Sequence, residues 1–215
     1  MLNLRDIDIV FLHGPHRPER KEHMEKTLFD LDHECYTGFS DQGRKSGTLG
    51  MLNILKKRLS QPFRPFLLLE DDCSRTQWFR YEIPVPDNSD AVYLGLSVYG
   101  IHPIIPQGYP NLISYTQTDN HELVRLQNML SLHAVVYLSK QWTEMCLECF
   151  EKTFNNEPGS GEFDFDILIC RNIPRFNVYA LKEPLFYQDS KVGGLEAATY
   201  FKINTPSQEE QDPQS

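Results

Sequence analysis

Three consecutive carboxylates, Glu70-Asp71-Asp72, directly follow the apolar run Phe66–Leu69. The four apolar residues predict a strand that is buried on both faces of a sheet. Because unpaired charge is costly to bury, the acids are expected to emerge where this strand ends. Open α/β sheets bind their ligands at that edge. Side chains alternate along a strand, so Glu70 and Asp72 are predicted to share one side and Asp71 to face the other.

Two carboxylates on one side of a sheet edge suit a hard divalent cation, so the sequence predicts Mn²⁺ or Mg²⁺ as a cofactor. Asp72, the last of the three acids, is the first candidate for a direct metal ligand, and Glu70 is the second. The alternative is a solvated acidic turn that only starts the next element, since Asp is common in turns.

The length and composition of the chain are those of a single soluble domain. It has 215 residues, of which 40% are hydrophobic and 24% charged. The net charge of -9 argues against nucleic acid as a partner. No apolar run approaches the roughly 18 residues that span a bilayer, and no signal-peptide layout is present, so a cytoplasmic location is expected. The odd number of cysteines, five, favours reduced thiols.

The N-terminal part of the chain alternates strand and helix patterns. A strand at Ile7–Leu12, a helix at Arg17–Asp30, a strand at Cys35–Phe39 and a helix at Leu49–Leu59 precede the apolar strand. This alternation predicts an α/β single domain with a Rossmann-like, mostly parallel or mixed central sheet flanked by helices. Neither a GxGxxG nor a Walker A sequence occurs, so neither a dinucleotide fold nor a P-loop enzyme is supported.

The chain after Cys73 is predicted to be richer in strands and loops. The expected elements are a loop at Ser74–Asn88, strands at Asp90–Val98 and Leu132–Leu138, a loop at Tyr99–Pro110, a hairpin from Leu112–Thr118 and Leu123–Met129, a helix at Lys140–Phe154 with Ser139 as N-cap, a helix at Glu162–Cys170, and strands at Phe176–Ala180 and Leu185–Gln188. Residues 204–215 read as a disordered tail or a linker, which fits an excised domain of a longer protein. The domain is therefore expected at 1–203, with a nucleotide-binding half at 1–72 and a second half at 73–203.

The order and spacing of several segments resemble small GT-A type glycosyltransferases, most closely the family of the lipooligosaccharide and procollagen galactosyltransferases. The matching segments are Arg17 and Arg20, Gly47–Gly50, Leu69–Asp72, Asp90–Gly95, His133–Ser139, Asp164 with Asp166, and Pro184–Gln188, within about residues 5–192. The family often supplies a late metal-binding His. This chain has no His after His133, and Gln188 or Asp189 stands in that place. Enzymes of similar size and layout occur in large algal DNA viruses, where they decorate capsid proteins.

The resemblance implies a metal-dependent hexosyltransferase that uses a nucleotide sugar, with uracil as the expected base. The acceptor would be a hydroxyl of a glycan or glycoprotein, and residues 73–203 would hold it together with the donor sugar. An inverting enzyme needs a general base, for which Asp164 and Asp166 are the candidates at the start of the last helix. The alternative is that these acids only stabilise the positive end of that helix.

Binding of a nucleotide-sugar cofactor would also require residues that contact its base, ribose and diphosphate. The candidates are His13, Gly14, Arg17 and Arg20 after the first strand, Asp41, Arg44 and Lys45 in the next loop, and Glu70 and Asp71 of the acidic motif. Each cation taken singly is more often an ordinary surface residue.

Two other functions compete with the transferase. A nucleotidyltransferase would share the sheet and the metal carboxylates, but it usually has a Gly-rich, Lys- or Arg-bearing loop directly after the first strand, which His13–Arg17 matches poorly. A degenerate domain that only binds a glycan or a partner protein is favoured by the missing late His.

Overall fold

The structure of the protein is a computed structural model that describes residues 1–40, 45–102, 104, 108–155, 165–194 and 203. The strands in these ranges are β1 (Leu2–Asn3), β2 (Asp8–His13), β3 (Glu34–Thr37), β4 (Phe66–Glu70), β5 (Cys73–Arg75), β6 (Glu82–Ile83), β7 (Ala91–Tyr93), β8 (Tyr99–Ile101), β9 (Gly108–Pro110), β10 (Ser114–Gln117), β11 (Leu123–Asn128), β12 (Ala134–Tyr137), β13 (Val178–Leu181) and β14 (Phe186–Gln188). The helices are α1 (Pro18–Thr27), α2 (Lys45–Leu59), α3 (Lys140–Asn155) and α4 (Phe165–Asn172), with 3₁₀ turns at Ile173–Arg175 and Ser190–Val192.

Eight of the strands form one mixed sheet in the order β10-β11-β13-β7-β12-β4-β2-β3. The pairs β2–β3, β2–β4 and β7–β13 are parallel, whereas β12 runs antiparallel to both of its neighbours. Two further antiparallel pairs, β10–β11 and β11–β13, complete one end. The predicted α/β fold with a single central sheet is confirmed, and the sheet is of the mixed kind.

The apolar strand β4 lies between β12 and β2 in this sheet, and both of its faces are covered. Leu67 and Leu69 belong to the same buried cluster as Met24 of α1, and each of the two leucines is fully buried. Phe66 and Leu68 point to the opposite face, where they join the cluster that contains the buried side chains of α3. Helices therefore flank both faces, and the polar end of β4 is left at the sheet's edge.

Several predicted boundaries hold, and the errors are concentrated in short strands. The hairpin of β10 and β11 is confirmed, and Ser139 caps α3 by accepting a hydrogen bond from the Trp142 amide at 3.1 Å. The predicted loop after Cys73 is wrong in part, since it contains β5 and β6. The predicted loop at Tyr99–Pro110 contains the β8–β9 hairpin. Strands of two or three residues are too short to show an apolar period.

Other parts of the prediction lie beyond what the structure tests. The proposed tail at 204–215 and the start of the predicted helix at Glu162 lie outside the described residues. The division of the domain into two halves stays a prediction. In the described ranges, no helix combines the length and the apolar character needed to cross a bilayer.

Candidate functional site

The acidic motif forms a tight turn at the edge of the sheet. Strand β4 ends at Glu70, Asp71 and Asp72 make the turn, and β5 begins at Cys73. We call Glu70–Asp72 the acid turn. Asp71 and Asp72 are only 6% and 5% exposed, and Glu70 is partly buried. These carboxylates are therefore held within the protein and need partners there.

Asp71 finds its partners in the protein itself. Its Oδ2 accepts a hydrogen bond from the Gly14 amide at 2.8 Å and lies 3.2 Å from Nδ1 of His13. Its Oδ1 accepts a hydrogen bond from Nη1 of Arg20 at 2.8 Å. Asp71 thus ties the loop after β2 and the helix α1 to the acid turn. The predicted contact of His13, Gly14 and Asp71 with a nucleotide stays a prediction.

Arg20 and Arg17 connect α1 to the 3₁₀ turn near the C-terminal end of the described chain. Arg20 donates from Nε to the Val192 carbonyl at 2.8 Å and from Nη2 to the Gly193 carbonyl at 2.9 Å. Its Nη1 also lies 3.5 Å from Oδ2 of Asp72. Arg17 donates to the same Val192 carbonyl at 3.0 Å and pairs with Glu19. Both guanidinium groups are thus engaged in the protein, and the role of Arg17 at a nucleotide stays a prediction.

The other two acids are less completely paired. The Oδ1 atom of Asp72 is buried and has no hydrogen-bond partner among the described residues. Glu70 accepts a hydrogen bond at its Oε2 from Nε2 of Gln188 at 2.9 Å. Burial raises the pKa of Asp72, while burial and the charges of Asp72 and Asp166 raise the pKa of Glu70 to about 8. Negative charge is therefore crowded here, an arrangement that a bound cation would relieve.

Strand β14 brings Gln188 to this position. It pairs antiparallel with β5, so that Gln188 lies opposite Cys73, and the Asp189 amide donates to the Asp72 carbonyl at 2.8 Å. The carboxylate of Asp189 turns away and accepts a hydrogen bond from the Ser74 hydroxyl at 2.9 Å. Of Gln188 and Asp189, which stand where the resemblance implies a late metal ligand, Gln188 is therefore the one whose side chain contacts the acid turn.

A cavity of about 330 Å³ opens beside Glu70. Its lining residues are Glu70, Ser97, Tyr99, Gly108, Leu130, Ser131, Leu132, His133, Asp166 and Gln188. Asp166 reaches it from the first turn of α4. The cavity is mixed in character, with two carboxylates, two hydroxyl-bearing serines and apolar walls. It is of a size and chemistry that suit a small polar ligand.

His133 forms part of the wall of this cavity, where its ring is held by neighbouring groups. Its Nδ1 lies 2.9 Å from the Ser131 hydroxyl, and burial lowers its pKa to about 4, so that the ring is neutral near pH 7. The ring packs directly on Gly95, where an added Cβ would lie 2.0 Å from the His133 Nε2 atom. His133 is therefore a buried residue of the protein core at the edge of the cavity.

The described residues offer a divalent cation two carboxylates but not a complete set of protein ligands. No group of three or more His, Cys, Asp or Glu side chains in the described ranges is arranged to hold a metal ion. Asp72 nevertheless offers a buried oxygen that has no hydrogen-bond partner in the described part of the chain. Glu70 lies close enough to Asp72 that the charge of Asp72 helps to raise the pKa of Glu70. Mg²⁺ is commonly held by one or two carboxylates together with waters and substrate phosphates. The donor set fits an ion of that kind.

Four predicted site residues cannot be placed. Asp41, Arg44 and Asp164 lie outside the described residues, as does the side chain of Lys45, whose backbone begins α2. Of the two candidate bases, Asp166 is the one whose position is known. It lines the same cavity as Glu70.

Several residues of the cavity wall were not among the residues predicted from the sequence. Ser97 follows the end of β7, and Ser131 precedes the start of β12, so both lie where strands enter or leave the edge that carries the acid turn. Their positions close to strand ends could have identified them as candidates. The ion pair of Arg20 with Asp71 could not be predicted in this way, because the two residues are 51 positions apart in the chain.

No family model matches the sequence, and a comparison with curated proteins finds no match. Several solved structures are distantly similar to the chain. A glycosyltransferase involved in glycosylation of the major capsid of PBCV-1 is 13% identical with a TM-score of 0.49, covering 84% of this chain and 91% of its own. A nucleoside-diphosphate-sugar pyrophosphorylase from Vibrio cholerae RC9 is 14% identical with a TM-score of 0.44, covering 83% and 73%. The glycosyltransferase GlyE of Streptococcus pneumoniae is 11% identical with a TM-score of 0.45, covering 80% and 44%. The functional proposal rests on the acid turn and its cavity and not on these distant similarities.

Proposed function

We propose that the protein is a glycosyltransferase that moves a sugar from a nucleotide diphosphate sugar, UDP-linked by the family resemblance, to a hydroxyl of a glycan or glycoprotein with the help of Mn²⁺ or Mg²⁺. One observation supports this most strongly. The acid turn lies at the carboxyl end of β4, where a buried oxygen of Asp72 has no partner among the residues that the structure describes, and where Glu70 lines a cavity that Asp166 also lines.

The three acids have different tasks in this proposal. Asp72 and Glu70 are the residues that would hold the cation together with the phosphates of the donor. When bound, the cation would offset the negative charge that develops on the departing diphosphate. Asp71 is not assigned to the ion. Its two oxygens hold Gly14 and Arg20, and thereby fix the position of the other two acids.

Asp166 is assigned as the base that takes the acceptor's proton. In the transfer, the bond between the sugar C1 and the phosphate oxygen breaks and a bond from C1 to the acceptor oxygen forms. The hydroxyl proton passes to the Asp166 carboxylate, and the nucleoside diphosphate leaves. A general base has to lie within hydrogen-bond reach of the hydroxyl, which a position in the cavity wall allows. This assignment requires inversion at C1.

The proposal is tested by a panel of nucleotides and nucleotide sugars, each with and without Mn²⁺. A ligand present at 100 times its Kd raises the free energy of unfolding by about 2.7 kcal/mol, which a thermal-shift assay detects readily. We expect stabilisation by one nucleoside diphosphate that depends on the ion, and slow release of that diphosphate from its sugar conjugate. Stabilisation by a nucleoside triphosphate with release of pyrophosphate would indicate a nucleotidyltransferase instead. Indifference to every nucleotide would contradict both and favour a binding domain.

The role of Asp166 has a separate test. Asp166→Asn should retain metal-dependent nucleotide binding while losing at least about 100-fold in turnover, the usual contribution of a general base. Asp87→Asn removes the same charge from an exposed position and should leave turnover unchanged. Full turnover in Asp166→Asn would refute the assignment without refuting the transferase.

A further inference from the structure

A second cleft lies on a different part of the sheet, between the turn of the β10–β11 hairpin and the segment Pro84–Pro86. Its volume is about 640 Å³, and it shares no lining residue with the cavity beside the acid turn. Its lining residues are Met1, Pro84, Val85, Pro86, Thr116, Gln117, Thr118, Asp119, Asn120, Arg125 and Tyr179. The proposed transferase chemistry makes no use of this cleft.

Arg125 in this cleft differs from the arginines that pair with a carboxylate, such as Arg58, Arg75 and Arg80. Arg125 is partly buried and has neither an ion pair nor a side-chain hydrogen bond with any described residue, and its Nε atom is out of contact with water. Asp119 lines the same cleft but forms no ion pair with it. An unpaired guanidinium with a desolvated N–H is an unfavourable arrangement unless a ligand completes it.

The neighbours of Arg125 on the adjacent strands extend this polar surface. In the sheet register, Arg125 of β11 lies opposite Thr116 of β10 on one side and opposite Tyr179 of β13 on the other. Side chains that lie directly opposite each other on neighbouring strands share a face and lie about 5 Å apart. Within the described part of the chain, neither the Thr116 hydroxyl nor the Tyr179 hydroxyl has a hydrogen-bond partner. Three side chains that can form hydrogen bonds, each without a side-chain hydrogen bond to another described residue, therefore lie in a row.

We propose that this cleft binds a small molecule that carries a carboxylate or phosphate group. The guanidinium of Arg125 would bind the oxyanion, because its planar fork of N–H donors matches two oxygens at once. The hydroxyls of Thr116 and Tyr179 would donate to the remaining oxygens or to hydroxyls of the ligand. Pro84, Val85 and Pro86 supply an apolar wall for the body of the molecule. The protein's net charge of -9 disfavours anions in general, so binding depends on this local cation.

The test is an NMR titration that observes the Nε–Hε signals of the arginine side chains. Sodium phosphate and sodium glucuronate are added separately at millimolar concentrations, with sodium chloride at the same ionic strength as reference. We expect a saturable shift of one Nε–Hε signal, identified as that of Arg125 by its loss in Arg125→Gln, together with shifts of the backbone amides of Thr116–Thr118. A response to glucuronate alone assigns the site to carboxylates, and a response to phosphate alone assigns it to phosphates.

Variants separate binding from folding. Arg125→Gln should weaken binding about tenfold, which corresponds to about 1.4 kcal/mol and is typical of one lost charge-assisted hydrogen bond. Arg64→Gln removes the same charge from an exposed position and should leave the Kd unchanged. If Arg125→Gln does not fold, Arg125→Lys and Tyr179→Phe keep the test available, and each should weaken binding measurably. No saturable shift with either anion, or an unchanged Kd in these variants, would overturn the proposal.

Discussion

Replacing Arg20 by Gln should destabilise the protein strongly, because Arg20 is the cation that compensates the acid turn. The arginine side chain is 16% exposed, and the side chains of Asp71 and Asp72 are 9% and 7% exposed. Removing one partner of a buried ion pair typically costs about 3–5 kcal/mol, since the remaining charge stays buried without compensation. The substitution also removes hydrogen bonds to the Val192 and Gly193 carbonyls. We expect a loss of about 3 kcal/mol, at the lower end because the site is not fully enclosed.

The loss is measured by urea unfolding followed by tryptophan fluorescence and far-UV circular dichroism. Arg17→Gln is the matched control just before the same helix, because Arg17 donates to the same Val192 carbonyl while its side chain is 43% exposed and its ion pair with Glu19 lies at the surface. Exposed ion pairs contribute little, so this control should lower the free energy of unfolding far less than Arg20→Gln does. A double-mutant cycle with Asp71→Asn isolates the pair itself, with an expected coupling of about 1–3 kcal/mol.

Two results would refute this reasoning. One is a loss below about 1 kcal/mol for Arg20→Gln, which would place the pair among weak surface interactions. The other is strict additivity of Arg20→Gln and Asp71→Asn, which would mean that the two side chains do not depend on each other. Either result would remove Asp71 from its role as the residue that fixes the acid turn.

The remaining predictions concern packing and acid sensitivity. Gly95→Ala should lower the free energy of unfolding by about 2 kcal/mol, since its Cβ would lie 2.0 Å from the His133 ring. Gly47→Ala in α2, where an added Cβ would meet nothing within 4 Å, should raise the free energy of unfolding by less than about 1 kcal/mol. Urea unfolding checks both variants, and equal effects would contradict the close packing of the ring. The hydrogen bond and ion pair with Arg75 lower the pKa of Asp30 from 3.8 to about 2, so its stabilisation is complete above about pH 4 and is lost as the pH falls toward 2. Asp30→Asn should therefore lower the free energy of unfolding by about 1–2 kcal/mol at pH 6, allowing for partial exposure, and by clearly less at pH 2, where about half of the native carboxyl groups are protonated. A loss that is the same at both pH values would contradict the assignment.

The sequence was sufficient to predict the strand that carries the site. Four apolar residues followed by three acids can be accommodated only if the strand is buried and its end reaches the sheet's edge, and β4 has this arrangement. The alternation of side chains along a strand could not fix the directions of all three acids, because the strand ends at Glu70 and the chain then turns. Asp71 and Asp72 are positioned by the turn and by their partners, and both contact Arg20.

The long-range contacts of the site were beyond the reach of the sequence. Gln188 reaches Glu70 only because β14, a strand of three residues, pairs with β5, another strand of three residues. Pairing of such short segments over more than 100 positions leaves no periodic signal. The cleft of Arg125 was missed for a related reason, since Arg125 within a strand pattern looks like an ordinary outward-facing cation until its partners are known.

Titration of UDP into the protein with and without Mn²⁺, followed by calorimetry, tests whether the acid turn holds a cation together with a nucleotide. We expect Mn²⁺ to tighten UDP binding at least about tenfold, or about 1.4 kcal/mol, in the parent protein and in Asp87→Asn. We expect this gain to disappear in Asp72→Asn while the fold remains intact by circular dichroism. The same dependence on Mn²⁺ in Asp72→Asn, or UDP binding that ignores the ion in the parent protein, would contradict this expectation.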